Sequence, residues 1–267
     1  AENVLDFINE KTKLVWLETP TNPTLKISDI QQIAGYAHAA KALLVVDNTF
    51  ASPVAQKPLA LGADIVIHSA TKYLAGHSDL LAGVVVVNSP ELAEEIHFVQ
   101  NASGGVLGPW DCFLTLRGIE TLGLRYKQQS ETGLKLATFL SQQSWVDQVN
   151  YPGLESHLNH EVAKRQQGGQ YGGVISFSLK EDQLELAEAF LKATRLFQLA
   201  ESLGGVKSLA CLPCKMTHAS VPREERLASG IQDSLIRLSC GIEEAEDLIE
   251  DLSQAWAVVE QQTLALS

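Results

Sequence analysis

Apolar residues fall along this chain in two alternating rhythms, short continuous runs and stretches with helical spacing. Leu14-Val-Trp-Leu17, Ala42-Leu-Leu-Val-Val46, Ile65-Val-Ile67 and Val84-Val-Val-Val87 are short runs closed by polar or turn residues, as expected of buried strands. Between the first two, Ile30, Ile33, Ala34 and Ala37 repeat with helical spacing, and Ser28 just ahead of them reads as the helix N-cap. Ala1 to Glu10 has the look of a helix, as does Glu91 to Gln100. Near-continuous apolar strands alternating with helices predict an α/β fold with a mostly parallel sheet covered on both faces.

The rhythm continues at smaller scale in the second half. A long helical segment runs from about Ile119 to Gln142 and is expected to lead from one domain into another. Trp145 to Tyr151, Gly173 to Leu179 and Leu235 to Cys240 read as strands, and Asp182 to Ala193 and Glu243 to Val259 as helices. The predicted organisation is therefore a larger unit over 1–122 and a smaller α/β domain over 123–267. Asn101-Ala-Ser-Gly-Gly105 reads as a hinge loop, because its glycines follow neither a dinucleotide nor a P-loop pattern.

Composition narrows the function classes. A net charge of −12 does not suggest a nucleic-acid or anionic-membrane partner. No uninterrupted apolar stretch is long enough for a bilayer and no signal-peptide pattern opens the chain, so a cytoplasmic address is expected. Of the four cysteines, Cys211 and Cys214 have the spacing of a redox pair or half a zinc site. A zinc site needs a second ligand pair, and Cys112 and Cys240 are isolated, so the thiols read as incidental and no metal is expected.

The candidate chemistry sits where strands end. After Ile67 the sequence turns small and polar, His68-Ser-Ala-Thr-Lys72, at the strand end where open α/β sheets place ligands. The hydroxyls of Ser69 and Thr71 could hold a phosphate while the Lys72 amine condenses with an aldehyde. Taken alone, Lys72 reads as a solvated loop lysine. The run ending at Val46 closes on a carboxylate, Asp47, followed by Asn48 and Thr49. An acid at one strand end and a lysine past the next could reach the two ends of one small ring.

At these residues the sequence resembles the Cys/Met-metabolism (transsulfuration) family of pyridoxal-phosphate enzymes. Asp64 to Ser78 is similar to that family's cofactor-attachment signature. Further similar blocks follow in the family's order. They are Leu14 to Thr24, Val46 to Pro53, Glu201-Ser-Leu-Gly-Gly205, Met216-Thr-His-Ala-Ser220 and Leu235-Ile-Arg-Leu-Ser239. The resemblance implies a fold type I architecture, with 1–122 the latter part of the cofactor-binding large domain and 123–267 the C-terminal small domain. It implies pyridoxal 5'-phosphate as cofactor, attached at Lys72, whose amine is also the catalytic base. It further implies Asp47 at the ring nitrogen, Ser69 and Thr71 at the phosphate, Thr49 under the ring, and Asn22 at both the ring hydroxyl and the substrate carboxylate.

Substrate residues implied by the same resemblance are Arg237 as carboxylate clamp, Ser202 and Thr217 lining the pocket, and Glu201 as the acid that meets a distal amine. From the residues alone, Arg237 amid Leu235, Ile236 and Leu238 reads as a buried intrachain ion pair, and Glu201 as an exposed loop acid. The implied reaction is α,γ-elimination of L-cystathionine to cysteine, 2-oxobutyrate and ammonia, with hydrogen sulfide release as a side activity. The alternatives are γ-replacement, as in the synthases of the family, and a non-catalytic chain that binds a full-length partner. The family's Gly-rich phosphate loop, its ring-stacking Tyr and its inter-subunit arm have no counterpart here. The chain is thus expected to be a fragment, one piece of a nicked protein or a shortened relative. A homotetramer, built as a dimer of dimers, is expected for the complete protein.

Overall fold

The computed structural model describes residues 2–266. After a 3-10 turn at Glu2–Asp6, the chain forms β1 (Leu14–Glu18), α1 (Ile30–Ala39), β2 (Leu43–Asp47), α2 (Ser52–Ala55), a second 3-10 turn (Pro58–Leu61), β3 (Ile65–Ser69) and β4 (Gly83–Val87). There follow α3 (Pro90–Ser103), α4 (Pro109–Glu120), α5 (Leu122–Ser141), β5 (Val146–Asn150), α6 (His160–Gln167), β6 (Val174–Leu179) and α7 (Leu184–Ala193). The last elements are β7 (Gln198–Leu199), β8 (Leu209–Cys211), α8 (Arg223–Ala228), β9 (Ile236–Ser239) and α9 (Ala245–Leu266). They gather into two units. The first takes the residues up to Thr21, Ile27–Gly123 and Glu161–Gly169, and the second Asn22–Lys26, Leu124–His160 and the residues from Gln170 onward.

The first unit holds a four-stranded sheet in the order β1-β2-β3-β4. The first three strands are parallel, with Glu18 beside Asp47 and Asp47 beside Ile67. Ile30, Ile33, Ala34 and Ala37 of α1 pack on Leu44, Val46 and Val66 of the sheet. The helix starts one residue later than Ser28 suggested. Asp29 is the N-cap, its side chain accepting from Gln32 N. Ser28 N is still tied to Thr19 Oγ1 at 3.0 Å, so the chain cannot turn into the helix before Asp29. The expected helix at the start of the chain is only the 3-10 turn.

A second correction concerns Val84 to Val87, which the apolar run marked as a buried strand. This strand, β4, runs antiparallel to β3 and lies at the sheet edge, where Val85 and Val86 are exposed. The helix that follows, α3, buries none of its residues against it. Continuous apolarity therefore did not report burial here.

The second unit is built on a five-stranded sheet in the order β5-β6-β9-β8-β7, antiparallel except between β7 and β8. Its two central strands, β6 and β9, are buried at every position. Phe177, Phe190, Leu248 and Leu252 pack in one core with Trp145, whose ring stacks on Trp256 at 4.6 Å between centroids. The buried Asp251 carboxylate accepts three backbone N–H groups, from Arg195, Leu196 and Phe197, fixing the chain between α7 and β7. The two-residue β7, the three-residue β8 and α6 carry too little periodicity to be read from sequence.

Candidate functional site

In the first unit, β2 and β3 run side by side and end on Asp47 and Ser69, so the loops beyond them start together. The Asp47 carboxylate is held from within its own loop, Oδ1 accepting from Thr49 N at 2.9 Å. Thr49 then ties the two strand ends, because its Oγ1 accepts from Ser69 N at 2.8 Å. One threonine thus fixes the acid on its own strand and the first hydroxyl on the next. Thr71 Oγ1 accepts from Ala82 N at 3.1 Å and lies 3.4 Å from Ala82 O, pinning the start of the lysine loop to its end.

Lys72 sits half-buried within a tight, stitched turn. Its N–H donates to Ser69 O at 3.1 Å, its carbonyl accepts from Gly76 N at 2.8 Å, and Ala75 N donates to Ala70 O at 2.9 Å. The turn is backed by α4 at Gly118. A methyl group there would fall 2.7 Å from Ala75 Cα, so only glycine lets the helix lie this close to the lysine loop.

Beneath the strand ends lies a buried amide network that the sequence did not announce. Asn48 donates to the carbonyls of Ser52 and Gln56, and its Oδ1 accepts from Gln56 Nε2 at 2.8 Å. Gln56 Nε2 also donates to Thr19 O at 3.0 Å. Asn48 and Gln56 are fully buried, so the residue after Asp47 is locked by bonds that no water replaces. His68, on β3, is only 7% exposed and its Nδ1 has no partner among the described residues. Burial lowers its pKa, against the opposing pull of the Asp47 charge and a backbone hydrogen bond with Asn48.

The second unit carries the other cluster. Arg237 stands inside β9 and is 2% exposed. Its Nη1 donates to Asn22 Oδ1 at 2.7 Å and its Nη2 to Ser202 O at 2.9 Å, while the buried Nε has no partner among the described residues. Ser202 holds a left-handed backbone, φ 83°, a conformation that costs energy for a non-glycine residue and recurs at functional sites. The ion pairs among the described residues do not include Arg237. The intrachain ion pair read from the residues alone is therefore not found among the described residues. The guanidinium is bonded to the neutral oxygens of Asn22 and Ser202.

Other residues gather around this guanidinium. Cys211 faces Arg237 across the β8–β9 ladder. Burial raises its pKa, opposed by Arg237 and reinforced by the Glu201 charge, so Glu201 reaches the same neighbourhood. Thr217 Oγ1 lies 2.9 Å from His218 Nδ1. Burial lowers the pKa of His218, and Arg237 and Arg226 push it further down. The fold thus brings Asn22, Ser202 and Arg237 into direct contact, with Glu201 and Thr217 at the margin. Asn22 groups with this unit, whereas Asp47, Thr49, Ser69, Thr71 and Lys72 group with the first. His68 and His218 had no signal in the sequence beyond their adjacency to Ser69 and Thr217.

The donor set of the first unit fits pyridoxal phosphate. A carboxylate suits a cationic ring nitrogen, hydroxyls suit a phosphate, and a half-buried amine suits an aldehyde. Comparison with known proteins points the same way. Residues 1–257 match the model of the Cys/Met metabolism PLP-dependent enzyme family. The cystathionine gamma-lyase of Bacillus subtilis is 54% identical over 254 residues, covering 95% of this chain and 66% of its own length. A cystathionine beta-lyase of Lactococcus lactis is 53% identical over 246 residues, covering 92% of this chain and 64% of its own. The crystal structure of cystathionine gamma-lyase from Lactobacillus plantarum, complexed with L-serine, superposes with a TM-score of 0.93 at 44% identity. That match covers 96% of this chain and 67% of the other. The chain spans about two thirds of the length of the curated relatives it matches.

Proposed function

The chain belongs to the Cys/Met metabolism PLP-dependent enzyme family, with pyridoxal phosphate as cofactor, and from that premise we propose that it serves as a carbon–sulfur lyase acting on L-cystathionine. The reaction is α,γ-elimination, in which cystathionine and water give cysteine, 2-oxobutyrate and ammonia. The observation that carries this reading is Arg237, a buried guanidinium whose bonded partners are the neutral oxygens of Asn22 and Ser202. Such a charge is costly until an anion docks on it, and a substrate carboxylate fits its planar fork.

Each residue then has a task. Lys72 would hold the cofactor through its amine, and the same amine, when free, would take the protons at substrate Cα and Cβ. Asp47, whose Oδ1 accepts from Thr49 N, would face the ring nitrogen and favour its protonated form. Ser69 and Thr71 would hold the phosphate through their hydroxyls. Thr49 would support the ring, and Asn22, bonded to Arg237, would share the substrate carboxylate with it. When bound, pyridoxal phosphate supplies an electron sink for the charge left at substrate carbon. Ser202 and Thr217 line the substrate pocket, and Glu201 meets the distal ammonium of cystathionine.

Relatives of nearly equal identity carry the names gamma-lyase and beta-lyase, so β-elimination to homocysteine and pyruvate is the second reading. Glu201 suits the distal ammonium in either direction, and a γ-replacing synthase shares that substrate chemistry. Purified protein loaded with cofactor and given L-cystathionine tests the proposal. Cysteine with 2-oxobutyrate is expected. Homocysteine with pyruvate would move the assignment to β-elimination, and turnover only with an added thiol and an activated homoserine would move it to a synthase.

Residues 1–122 are proposed as the latter part of the cofactor-binding large domain and residues 123–267 as the C-terminal small domain. A homotetramer in the cytoplasm completes the reading. What supports assembly is the exposed apolar surface of the first unit, where Trp16 is 60% and Phe98 70% exposed. Among the described residues no helix is long and apolar enough to cross a membrane. Light scattering with size exclusion would settle the assembly, a tetramer mass being expected.

A further inference from the structure

A five-residue strap, Asn22–Lys26, groups with the second unit, although the residues on both sides of it group with the first. It is fastened within the second unit at three points. Asn22 Oδ1 accepts from Arg237 Nη1 at 2.7 Å, the Leu25 carbonyl lies 3.1 Å from His157 Nε2, and Lys26 Nζ donates to Ser229 O at 3.1 Å. Between these points Leu25 holds a left-handed backbone, φ 54°, and is 2% exposed. A non-glycine residue keeps such a conformation only where its surroundings enforce it. Lys26 is exposed, and a bond that water can replace enforces little. The fastening at His157 is partly buried and comes from a residue that is itself held. His157 N donates to Leu154 O at 3.0 Å, and its carbonyl accepts from His160 N at 3.0 Å. The bonds of the ring fix its proton. A carbonyl only accepts, so Nε2 carries the hydrogen, and Nδ1 accepts from Asn159 N at 3.2 Å.

From this arrangement we infer that His157 is a positioning residue for the carboxylate site, holding Leu25 so that Asn22, three residues earlier, meets Arg237. The inference rests on the reading of Arg237 as the carboxylate clamp and adds the residue that sets the clamp's geometry. Arg237 is fixed by its own strand, between β6 and β8, whereas Asn22 lies on a strap that belongs to no strand or helix. Where the strap is fastened therefore decides where Asn22 sits. With Oδ1 on Arg237, the Asn22 amide keeps its Nδ2 hydrogens to donate beside the guanidinium, so a carboxylate docked on the fork meets a further donor. Without the bond to His157, the left-handed backbone at Leu25 could relax and carry the amide away from the guanidinium. A displacement of about 1 Å is enough to weaken what a positioned group holds. In this role His157 acts on the anion only through Asn22.

The test uses butyrate, a carboxylate that lacks an amine and cannot react at the cofactor, so its outcome does not depend on which reaction the enzyme catalyses. Binding to cofactor-loaded protein is measured by calorimetry for the parent, His157→Ala, His157→Phe and His157→Gln, each with Asn22 intact and with Asn22→Ala. With Asn22 intact, His157→Ala and His157→Phe should bind butyrate several-fold more weakly. His157→Gln, whose amide N–H can take the place of Nε2–H, should recover most of the loss. In the Asn22→Ala background none of the three should have a further effect, because the group through which His157 acts is gone. A merely structural loss would instead add to that of Asn22→Ala. Nitrogen chemical shifts of the parent, which need no substitution, should report the Nε2–H tautomer of His157. Parent-like binding by His157→Ala and His157→Phe, additive losses in the cycle, or an Nδ1–H tautomer overturns the inference. No butyrate binding by the parent, or equal binding by Arg237→Ala, overturns the clamp itself and the inference with it.

Discussion

In the first unit the functional side chains hang from loops at strand ends, whereas in the second Arg237 stands inside a central strand. Asp47 and Ser69 are placed by Thr49, Thr71 by Ala82, and Lys72 by a turn stitched with short-range backbone bonds. Arg237 is placed by β6 and β8 on either side of β9, and its bonds reach Asn22 and Ser202, far away in sequence. Local bonds let a short stretch carry its chemistry with it, and a lysine proposed to hold a cofactor benefits from a loop. A buried charge gains from the opposite arrangement, because a strand fixed on both sides cannot relax to let water in. The first unit exposes large apolar side chains along β1, β4 and α3, whereas in the second such side chains, Leu124, Leu158 and Leu199 among them, surround a larger buried core.

The sharpest way to break this comparison is to remove the reacting group from each side. Lys72→Ala should reduce cystathionine turnover by on the order of 10³-fold or more, the loss expected when nucleophile and base disappear together. Its melting should change little, because the turn is held by backbone bonds. Arg237→Lys should act differently, raising KM by roughly tenfold to a hundredfold with a smaller effect on kcat, as one point charge replaces a fork. Arg237→Ala should in addition destabilise the second unit by about 1–3 kcal/mol, since Asn22 Oδ1 and Ser202 O lose their donor. Equal kcat losses in the Lys72 and Arg237→Lys variants would erase the functional difference between the units.

A smaller but more localised effect is expected behind the lysine loop. Gly118→Ala puts a methyl group against the Ala75 backbone, which cannot yield as a side-chain tip could. The loop or α4 must shift, at a cost of about 1–3 kcal/mol. Cofactor retention should fall several-fold, measured as visible absorbance after dialysis, while butyrate binding at Arg237 in the second unit stays near the parent value. Unchanged retention would show that α4 does not set the position of Lys72.

Much of this was legible beforehand, and the reasons divide along the same line. The strand ends of the first unit could be read because apolar runs stop at Asp47 and Ser69, and a parallel sheet puts such ends side by side. The contact of Arg237 with Asn22 could not, since 215 positions separate them and no local rule relates the two. Ala42 to Val46 and Val84 to Val87 are equally apolar, yet β2 is central and β4 lies at an edge. Apolarity states what a strand would prefer to bury, and only the sheet order decides whether it does. The Asn48–Gln56 network was invisible for another reason, as buried amides look in sequence like any turn residues.

The smallest effect expected, and the one that separates the units most finely, is in acid. Burial lowers the pKa of His68 in the first unit, and burial lowers that of His157 in the second, with the Leu25 backbone opposing and the His160 charge adding to the shift. For each ring the unfolded chain binds a proton more readily than the folded one. Stability therefore rises with pH between the folded value and the ordinary one, and falls as acid protonates the unfolded chain. Above the ordinary histidine range both states are neutral and the contribution is flat. His68→Gln and His157→Gln should each remove their share of this acid loss, worth roughly a few degrees in melting temperature at most. Hydrogen exchange can assign the change. The protection of β2 and β3 should become less pH-dependent in the His68 variant, and that of the second-unit sheet in the His157 variant. If the His68 variant keeps the parent slope in β3, the Asp47 charge and the Asn48 backbone already compensate the buried ring, and its missing Nδ1 partner carries no acid penalty.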